Sequence, residues 1–508
     1  MLALIKSYGL KGLDGFPVQA EIDMHTGMPT YDIVGLADTA VKESRERVRS
    51  AIKNSGYSYP VSAIVVNLAP ADIKKEGSMY DLPIALGLLA ASKQIEYGNL
   101  KKAIYLGELS LNGEVRKVNG LLPMIISAVQ NGEHIFVIPK ENIGEVMFIE
   151  GAEIYAVENL RDAVEFATCV KDKQPLPIRN WQSNIQRKQS DFDFKYIKGQ
   201  YAAKRAMEIA VAGGHNILMI GPPGSGKTML AKSVPSIMPN LTFDEALDVA
   251  KIHSVSGQLD GGFIYERPFR TPHHSSTMVA LTGGGNKARP GEISLAHNGV
   301  LFLDELPEYS RQTLETLRQP LEDGVITVAR NAVSVTYPAD FMLIAGMNPC
   351  PCGNYGSATA ECSCSAAQIH RYLSKLSGPL LDRIDIHIEV DNVPYADLQD
   401  ETLAEDSATV RCRVNKAREI QLNRLSALGR NCNAQMTSAD IKKFCKLTKD
   451  SLMLIEDCFE KFALSARAYN RVLKVARTIA DLDGSQDITV KHIAESLQYR
   501  TLDRKYRI

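Results

Sequence analysis

Eight consecutive residues have the composition of a phosphate-binding loop. The segment follows the apolar run Ile217–Ile220, which predicts a short buried strand, and precedes residues that predict the start of a helix. Glycines let backbone N–H groups converge on phosphate oxygens, and a helix N-terminus adds partial positive charge. The alternative, a plain Gly/Pro turn, is disfavoured because the whole pattern matches in this context. The loop therefore predicts binding of a nucleoside triphosphate with Mg²⁺, through Gly221, Pro222, Pro223, Gly224, Ser225, Gly226, Lys227 and Thr228.

Two adjacent carboxylates end another apolar strand. Residues 299–303 are apolar and are followed directly by Asp304 and Glu305. At the tip of a strand beside the phosphates, Asp304 and Thr228 would hold Mg²⁺, and Glu305 would polarise the attacking water. An apolar strand that ends in Asp-Glu is common in itself. Because a phosphate-binding loop with Lys227 precedes it in the chain, the pair favours hydrolysis of ATP.

Three further polar residues are candidates to complete this site. Asn348 follows the apolar residues 341–345, and we expect it to lie between the two nucleotide-contacting strands and bond the γ-phosphate or the water; the alternative is a turn Asn before a proline. Arg383 suits an arginine finger that reaches a neighbouring subunit, although it could pair locally with an adjacent aspartate. Arg467 begins a basic helical stripe, which is either a solvated face or a sensor in a lid over the loop of the same chain.

Four cysteines occur within fifteen residues. Cys350 and Cys352 are followed, after nine residues, by Cys362 and Cys364. Four thiolates could close a tetrahedral Zn²⁺ site, although the spacing within each pair is one residue rather than the usual two to four. Reduced thiols in a loop are the alternative. The remaining five cysteines are scattered, and the last four of them lie in helical patterns that predict core positions: Cys169, Cys412, Cys432, Cys445 and Cys458.

The composition limits the class of protein. The chain has 508 residues, 58 Lys+Arg, 59 Asp+Glu and a net charge of −1, so any nucleic-acid contact must rest on local patches. No apolar run approaches the roughly 20 residues of a membrane span, and the N-terminus does not have the pattern of a signal peptide. Nine cysteines are too few for a disulfide scaffold in a chain of this length. A cytoplasmic enzyme is expected.

The first 170 residues predict an α/β domain. Alternating apolar positions in residues 16–24 and 29–34 predict a hairpin, and Asn112-Gly113 predicts a second, tight hairpin turn. A polar, aperiodic segment, residues 171–195, predicts a linker. We therefore expect a domain at 1–170, a second α/β domain at 196–393, a connector at 394–407 and helices at 408–508.

The N-terminal domain resembles the proteolytic domain of Lon proteases. The likeness rests on residues 74–78, 107–115, 118–121 and 137–142. That family places a nucleophilic Ser and a base Lys on this framework. In this chain Met79 takes the nucleophile register, and Leu121-Leu122-Pro123 stands where the lysine is expected. We therefore predict a proteolytically inactive domain that serves in binding or assembly.

A hairpin is predicted just before the Asn348 strand. Residues 324–328 and 333–337 are strand-like and flank Arg330, which would lie at the tip. This feature is similar to the pore hairpins of minichromosome-maintenance helicases. Repeated around a ring, Arg330 would track DNA phosphates without a net basic charge on the protomer. A surface hairpin with one solvated arginine is the alternative.

Taken together, the motifs resemble the magnesium-chelatase-like AAA+ ATPases, and within them the bacterial ComM/YifB group. The order of loop, carboxylate pair, Asn348, Arg383 and Arg467 carries the likeness, together with residues 270–276 and 291–297. It implies a Lon-like α/β domain, a P-loop AAA+ αβα core and a C-terminal helical lid. It also implies a hexameric ring and helicase or branch-migration activity on single-stranded or branched DNA. The alternative is an ATP-driven metal-chelatase-like or protein-remodelling subunit.

Overall fold

The chain folds into two compact units. The first contains the described residues of Met1–Gln186 and Phe243–Ile264, and the second those of Arg187–Thr242 and Tyr265–Ile508. The chain thus leaves the second unit after Thr242 and returns to it at Tyr265. The computed structural model describes residues 1–98, 100–168, 174–181, 192–259, 262–285, 288–330, 333–356, 360–399, 404–462 and 465–500.

A mixed sheet forms the centre of the first unit. Seven of its described strands lie in the order β3-β4-β2-β1-β5-β8-β9, and β6 and β7 form a separate hairpin. Alternate residues of β2 and β4, such as Val18, Ile22 and Val66, are buried, as expected for a sheet with one face on the core. Strands β1 to β9 are Leu2–Lys11, Asp14–His25, Thr30–Val34, Ala63–Ala69, Ile104–Tyr105, Glu108–Leu109, Val115–Arg116, Ile135–Pro139 and Glu153–Val157.

Helices pack against this sheet. Every residue of α3 is buried, which is expected because the helix is apolar all round. The Leu121 and Leu122 side chains are fully buried at the start of α4, Met79 is buried, and Ser78 donates a hydrogen bond to Glu108. Helices α1 to α6 are Thr39–Lys42, Ser44–Asn54, Asp81–Ala91, Leu121–Gln130, Ile143–Val146 and Leu160–Thr168.

The predicted hairpin of residues 16–24 and 29–34 is wrong. β2 pairs antiparallel with β1, where Lys11 lies opposite Asp14, and β3 pairs parallel with β4 on the other side. The strands were placed correctly, but a later strand separates them. The predicted turn at Asn112-Gly113 does connect β6 and β7, and Gly113 has the positive φ of 92° that such a turn requires.

The second unit is built on a parallel sheet. Its five described strands lie in the order β11-β14-β17-β10-β18, and every neighbouring pair is parallel. All residues of β10, β14 and β17 are buried, as expected for strands covered on both faces. Two hairpins, β12 with β13 and β15 with β16, lie outside this sheet. Strands β10 to β18 are Ile217–Ile220, Phe269–Arg270, Gly283–Gly284, Arg289–Pro290, Val300–Leu303, Val325–Arg330, Val333–Pro338, Met342–Met347 and Ile386–Glu389.

One helix in the middle of the chain, α9, belongs to the first unit. Within that unit the Ser254 hydroxyl donates to Glu145 at 2.6 Å, and the Gly120 N–H donates to the Ser254 carbonyl at 3.0 Å. The sequence prediction of one continuous segment from 196 to 393 did not include this excursion. Helices α7 to α16 are Tyr201–Gly213, Lys227–Ile237, Phe243–Ser256, Met278–Thr282, Glu292–Leu295, Arg311–Glu315, Arg318–Asp323, Ala366–Leu373, Gly378–Leu381 and Tyr395–Gln399.

The described C-terminal residues of the second unit are helical. Val472, Ala476 and Ala480 of the long helix α20 are buried in a cluster that also contains Ile455 and Ile493. The α/β fold class with a C-terminal helical region is confirmed. No helix in the described ranges combines the length and apolar character that crossing a membrane requires. Helices α17 to α21 are Ser407–Leu425, Ser438–Phe444, Lys449–Phe462, Ala466–Leu482 and Val490–Gln498.

Candidate functional site

The predicted phosphate-binding loop joins the buried strand β10 to α8. Gly224 and Gly226 have positive φ angles of 80° and 91°, and a Cβ atom at either position would meet nothing within 4 Å. At Gly221 a Cβ would lie 2.1 Å from the Val390 carbonyl oxygen, so only glycine fits there. The backbone thus forms an open cradle at the N-terminus of a helix, which is the arrangement that binds phosphate.

Lys227 lies inside this loop. Its Nζ donates to the carbonyl oxygens of Gly221 and Pro222, both at 2.8 Å, and lies 3.3 Å from Asn348 Oδ1. Burial lowers the pKa of Lys227, and the neighbouring Asp304 acts in the opposite direction. Asn348 is the first residue after β17, which separates β10 from β14. The structure therefore brings the predicted Asn348 beside the predicted Lys227.

An oxygen pair suited to Mg²⁺ stands next to the loop. The Thr228 hydroxyl donates to Asp304 Oδ2 at 2.6 Å. A Cβ at Gly346 would lie 2.8 Å from Asp304 Oδ1, so the glycine leaves room for the carboxylate. Hydroxyl and carboxylate oxygens are the ligands that Mg²⁺ prefers, together with substrate phosphates. Thr228 and Asp304 therefore fit the ion that the loop motif implies.

Glu305 has a strained backbone and a histidine partner. Its φ angle is 51°, in the left-handed region that non-glycine residues adopt mainly at functional sites. Its N–H donates to Asp304 Oδ1 at 3.0 Å, and its Oε2 lies 3.1 Å from His274 Nδ1. The Tyr309 hydroxyl donates to the Pro272 carbonyl at 2.6 Å and holds the loop that carries the histidine.

His274 was not predicted as part of this site. The structure places the His274 ring beside the Glu305 carboxylate. The two imidazole rings are 4.1 Å apart, and His273 bonds Ser275 within its own loop. An adjacent His pair in a loop gives no sequence signal for such a contact, because the pairing depends on where β11 lies in the sheet.

Gln200 is a second residue that sequence reasoning missed. Its side-chain amide donates to the Ser225 carbonyl of the phosphate loop at 3.2 Å and to the Asp391 carbonyl at 2.6 Å. Gln200 precedes α7 with a φ angle of 54°, which is unusual for a residue with a side chain. The amide joins the phosphate loop to the chain that follows β18.

Arg383 lies beside the parallel sheet at the amino ends of its strands, which is the edge opposite the phosphate loop. Its carbonyl accepts a bond from the Asn216 side chain at 3.0 Å, and Asn216 directly precedes β10. The phosphate loop follows the other end of β10, where the Gly221 N–H donates to the Met347 carbonyl at 3.1 Å. A four-residue strand spans about 13 Å at 3.3 Å per residue. Arg383 therefore lies at the end of the sheet opposite the Lys227 of its own chain, and its predicted role as a finger for a neighbour stays a prediction.

Arg467 lies on this same far edge, so the prediction that it reaches the phosphate in its own chain is wrong. Its guanidinium lies 4.0 Å from Glu322 Oε1, and Arg383 bonds the other oxygen of that carboxylate. The two arginines line one cavity with Asn216 and Asp340, which precede β10 and β17. The apolar stripe of α20 shows which face of the helix is buried, but it does not show at which edge of the sheet the helix packs.

Four cationic side chains and five carboxylates line this far-edge cavity. Its volume is about 790 Å³. Arg471 is already paired with Asp385 at 3.4 Å; burial opposes ionisation of Asp385, but Arg471 and His215 hold its pKa well below the usual range. Arg383 and Arg467 instead share the single Glu322 carboxylate. Burial and then the neighbouring arginines lower the pKa of Arg383, so an additional anion would be stabilised here.

The four clustered cysteines converge on one point. Their sulfur atoms all lie within 4.8 Å of one another. Cys350 Sγ is 3.3 Å from Cys352 Sγ and 3.7 Å from Cys362 Sγ. The sulfurs of Cys352 and Cys362 are 3.6 Å apart. Cys364 completes the set. The structure thus brings together the four residues that the sequence proposed as zinc ligands.

The predicted hairpin before Asn348 is present as β15 and β16. Arg330 ends β15 and pairs with Val333, while the residues between them and the Arg330 side chain lie outside the described part. The Tyr337 hydroxyl donates to the Ala288 carbonyl at 2.8 Å and ties this hairpin to the second one, β12 with β13. Arg289 on that second hairpin is exposed. It is a further basic candidate, which the glycine-rich run before it could have indicated.

Three sequence families match the chain. They are described as magnesium chelatase, subunit ChlI, over residues 193–398; subunit ChlI of Mg-chelatase over residues 20–142; and the C-terminal part of magnesium chelatase subunit ChlI over residues 404–500. These matches reach both units of the fold.

Individual proteins are similar over very different lengths. Competence protein ComM of Haemophilus influenzae is 44% identical over 508 residues, which cover 99% of this chain and 98% of the relative. The uncharacterized protein YifB of Escherichia coli is 44% identical over 506 residues, with the same coverage of 99% and 98%. Magnesium-chelatase subunit ChlI of Olisthodiscus luteus is 25% identical over 174 residues, 31% of this chain and 51% of that protein.

Proposed function

Because this chain belongs to the ComM/YifB family of magnesium-chelatase-like proteins, which supports an ATPase-type function, we propose that it is an ATP-hydrolysing ring motor that acts on DNA. The observation that carries the proposal is the division of the site between two edges of one sheet. The phosphate loop lies at one edge, and Arg383 with Arg467 lies at the other. One copy alone cannot bring these groups together, whereas a head-to-tail arrangement of copies places the arginines of one on the loop of the next.

Each residue has a distinct task in the proposed reaction. Lys227 and the loop N–H groups bind the β- and γ-phosphates, and Thr228 and Asp304 are the residues that would hold Mg²⁺, which would neutralise phosphate charge. Glu305 accepts a proton from water as the water oxygen bonds the γ-phosphorus. The bond to the β,γ-bridging oxygen breaks and leaves ADP and phosphate. Asn348 orients the water from the side of β17.

The neighbouring copy supplies the charge that the transition state needs. Negative charge develops on the transferred phosphoryl group, and a guanidinium placed there stabilises it by electrostatics. Arg383 and Arg467 share one carboxylate, so a γ-phosphate from the next copy would give them a second anionic partner. Assembly, as the hexamer expected from the family resemblance, is then a condition for hydrolysis rather than a consequence of it.

The two joined hairpins support DNA as the partner. Both carry an arginine, Arg289 or Arg330, and the Tyr337 bond makes them one projection. On one face of β15 and β16, Thr327 and Thr336 are exposed, so the projection has a polar side that does not pack against its own unit. Repeated around a ring, these cations would contact successive phosphates of a strand.

Measurement of ATP hydrolysis with and without single-stranded and branched DNA tests the proposal. We expect DNA to stimulate hydrolysis and branched substrates to be unwound, with Lys227→Ala inactive in both assays. Hydrolysis that is indifferent to DNA, together with a protein that copurifies, would instead support the chelatase-like or remodelling alternative. Absence of both hydrolysis and unwinding in the wild-type chain would refute the motor.

A further inference from the structure

The loop between β17 and α14 ends in the four-cysteine cluster, and its geometry is that of a metal site. In a tetrahedral Zn²⁺ site with Zn–S bonds of about 2.3 Å, neighbouring sulfurs are about 3.8 Å apart. The observed separations of 3.3, 3.6 and 3.7 Å, with all four sulfurs within 4.8 Å, surround one such point. A disulfide would join only two of the sulfurs, at about 2.05 Å.

A backbone donor contacts the cluster. The Tyr355 N–H donates to Cys350 Sγ at 3.3 Å. Gly353 turns the chain between Cys352 and this donor with a φ angle of 84°. An N–H group aimed at sulfur is an outer contact of the kind that orients thiolate ligands in metal sites.

We propose that one structural Zn²⁺ ion binds to Cys350, Cys352, Cys362 and Cys364. We further propose that this ion holds the cysteine loop in its position against the phosphate loop. All four ligands are sulfur, and none of the four positions is left for water or substrate, so the ion stabilises structure and does not take part in chemistry. The second half of the proposal rests on the proposed ATP site; the first does not.

One close approach and two connections along the chain join the cluster to its surroundings. Cys350, which is fully buried, is two residues after Asn348, the partner of Lys227. A Cβ at Gly353 would lie 2.4 Å from Pro223 Cδ, so the cysteine loop presses directly on the phosphate loop. Cys364 directly precedes the capping box that starts α14. One ion would thus hold together three elements: the end of β17, the part of the cysteine loop that packs against the phosphate loop, and the start of α14.

Metal analysis of the full-length chain, purified without chelators, tests the zinc site. We expect about one zinc per chain by mass spectrometry of the metals, lost in the variant Cys362→Ser/Cys364→Ser and kept in Cys412→Ser, which changes an exposed cysteine of α17. A thiol-modifying mercurial should release this zinc from the wild-type protein. Wild-type protein without zinc, with a disulfide among the four, or with the visible absorbance of iron would overturn the assignment.

The contact with the phosphate loop is tested by Gly353→Ala. The new methyl group would collide with Pro223, so we expect zinc to stay bound while the Kd of a fluorescent ATP analogue rises at least fivefold. Gly429→Ala is the matched control, because Gly429 has a similar φ of 68° but open space around its Cβ position. If wild-type protein binds the analogue and Gly353→Ala binds it equally well, the coupling is refuted. If wild-type protein itself does not bind, the proposed ATP site fails instead.

Discussion

At the scale of single residues, the contact of His274 with Glu305 makes a sharp prediction. The imidazole lies 3.1 Å from the carboxylate that is proposed to take the proton of water. We propose that His274 is a positioning residue, which holds Glu305 in its strained conformation. A hydrogen bond to a charged group contributes about 1.5 kcal/mol, which corresponds to roughly tenfold in rate. We therefore expect His274→Ala to lower kcat about tenfold with KM for ATP nearly unchanged, measured by steady-state hydrolysis.

The neighbouring histidine provides the control for this residue. His273→Ala removes an equal side chain from the same loop, but His273 bonds Ser275 and not Glu305. It should keep a near wild-type kcat. Equal losses in the two variants, or a rise of KM alone in His274→Ala, would show that the loop matters only for folding or binding.

At the scale of secondary-structure elements, the joined hairpins β12–β13 and β15–β16 can be tested as one surface. The double variant Arg289→Ala/Arg330→Ala removes two cations per copy. We expect weaker binding of single-stranded DNA, and the slope of log K against log salt to decrease by about 1 per lost phosphate contact. Fluorescence anisotropy at several salt concentrations measures both.

Two control variants show whether the charge of the hairpin arginines causes the change in DNA binding. Arg289→Lys/Arg330→Lys keeps the charge and should keep most of the affinity and of the salt slope. Lys442→Ala removes an exposed cation of α18, which belongs to neither hairpin, and should change neither quantity. If Lys442→Ala weakens DNA binding as much as the hairpin variant, the hairpins are not the contact surface.

At the scale of the whole molecule, the division of the site between two sheet edges predicts complementation between copies. Lys227→Ala keeps its arginines but loses the phosphate loop, and Arg383→Ala keeps the loop but loses a finger. Each alone should hydrolyse ATP poorly. In equal mixtures that assemble at random, about a quarter of the interfaces combine an intact loop with an intact arginine. We expect hydrolysis to return to about that fraction of wild type.

The same mixing experiment can also refute the interface site. If Arg383 served the loop of its own chain, mixing would restore no activity. A further check is dilution, since the specific activity of an interface site should fall when the assembly dissociates. A monomer with full activity would refute the interface site.

The sequence by itself determined the local chemistry of this protein. The phosphate loop, the Asp304-Glu305 pair and the four cysteines are contiguous or closely spaced, so their residue types report their environment directly. The α/β fold class was likewise predicted correctly, because buried strands and helices leave periodic apolar patterns. The ComM/YifB family was predicted correctly from the resemblance of the motifs and their order. The roles assigned to these site residues stay predictions that the experiments above address.

The tertiary structure decided which elements meet. Periodicity indicates that residues 29–34 form a strand, but not that β4 separates them from β2. The apolar stripe of α20 predicts a packed helix, but it does not reveal that Arg467 lies on the edge of the sheet opposite Lys227. The contact of His274 with Glu305 and the place of Phe243–Ile264 in the first unit were missed for the same reason. Such pairings join residues that are distant in the chain, and their free energy comes from packing between elements, which no local pattern records.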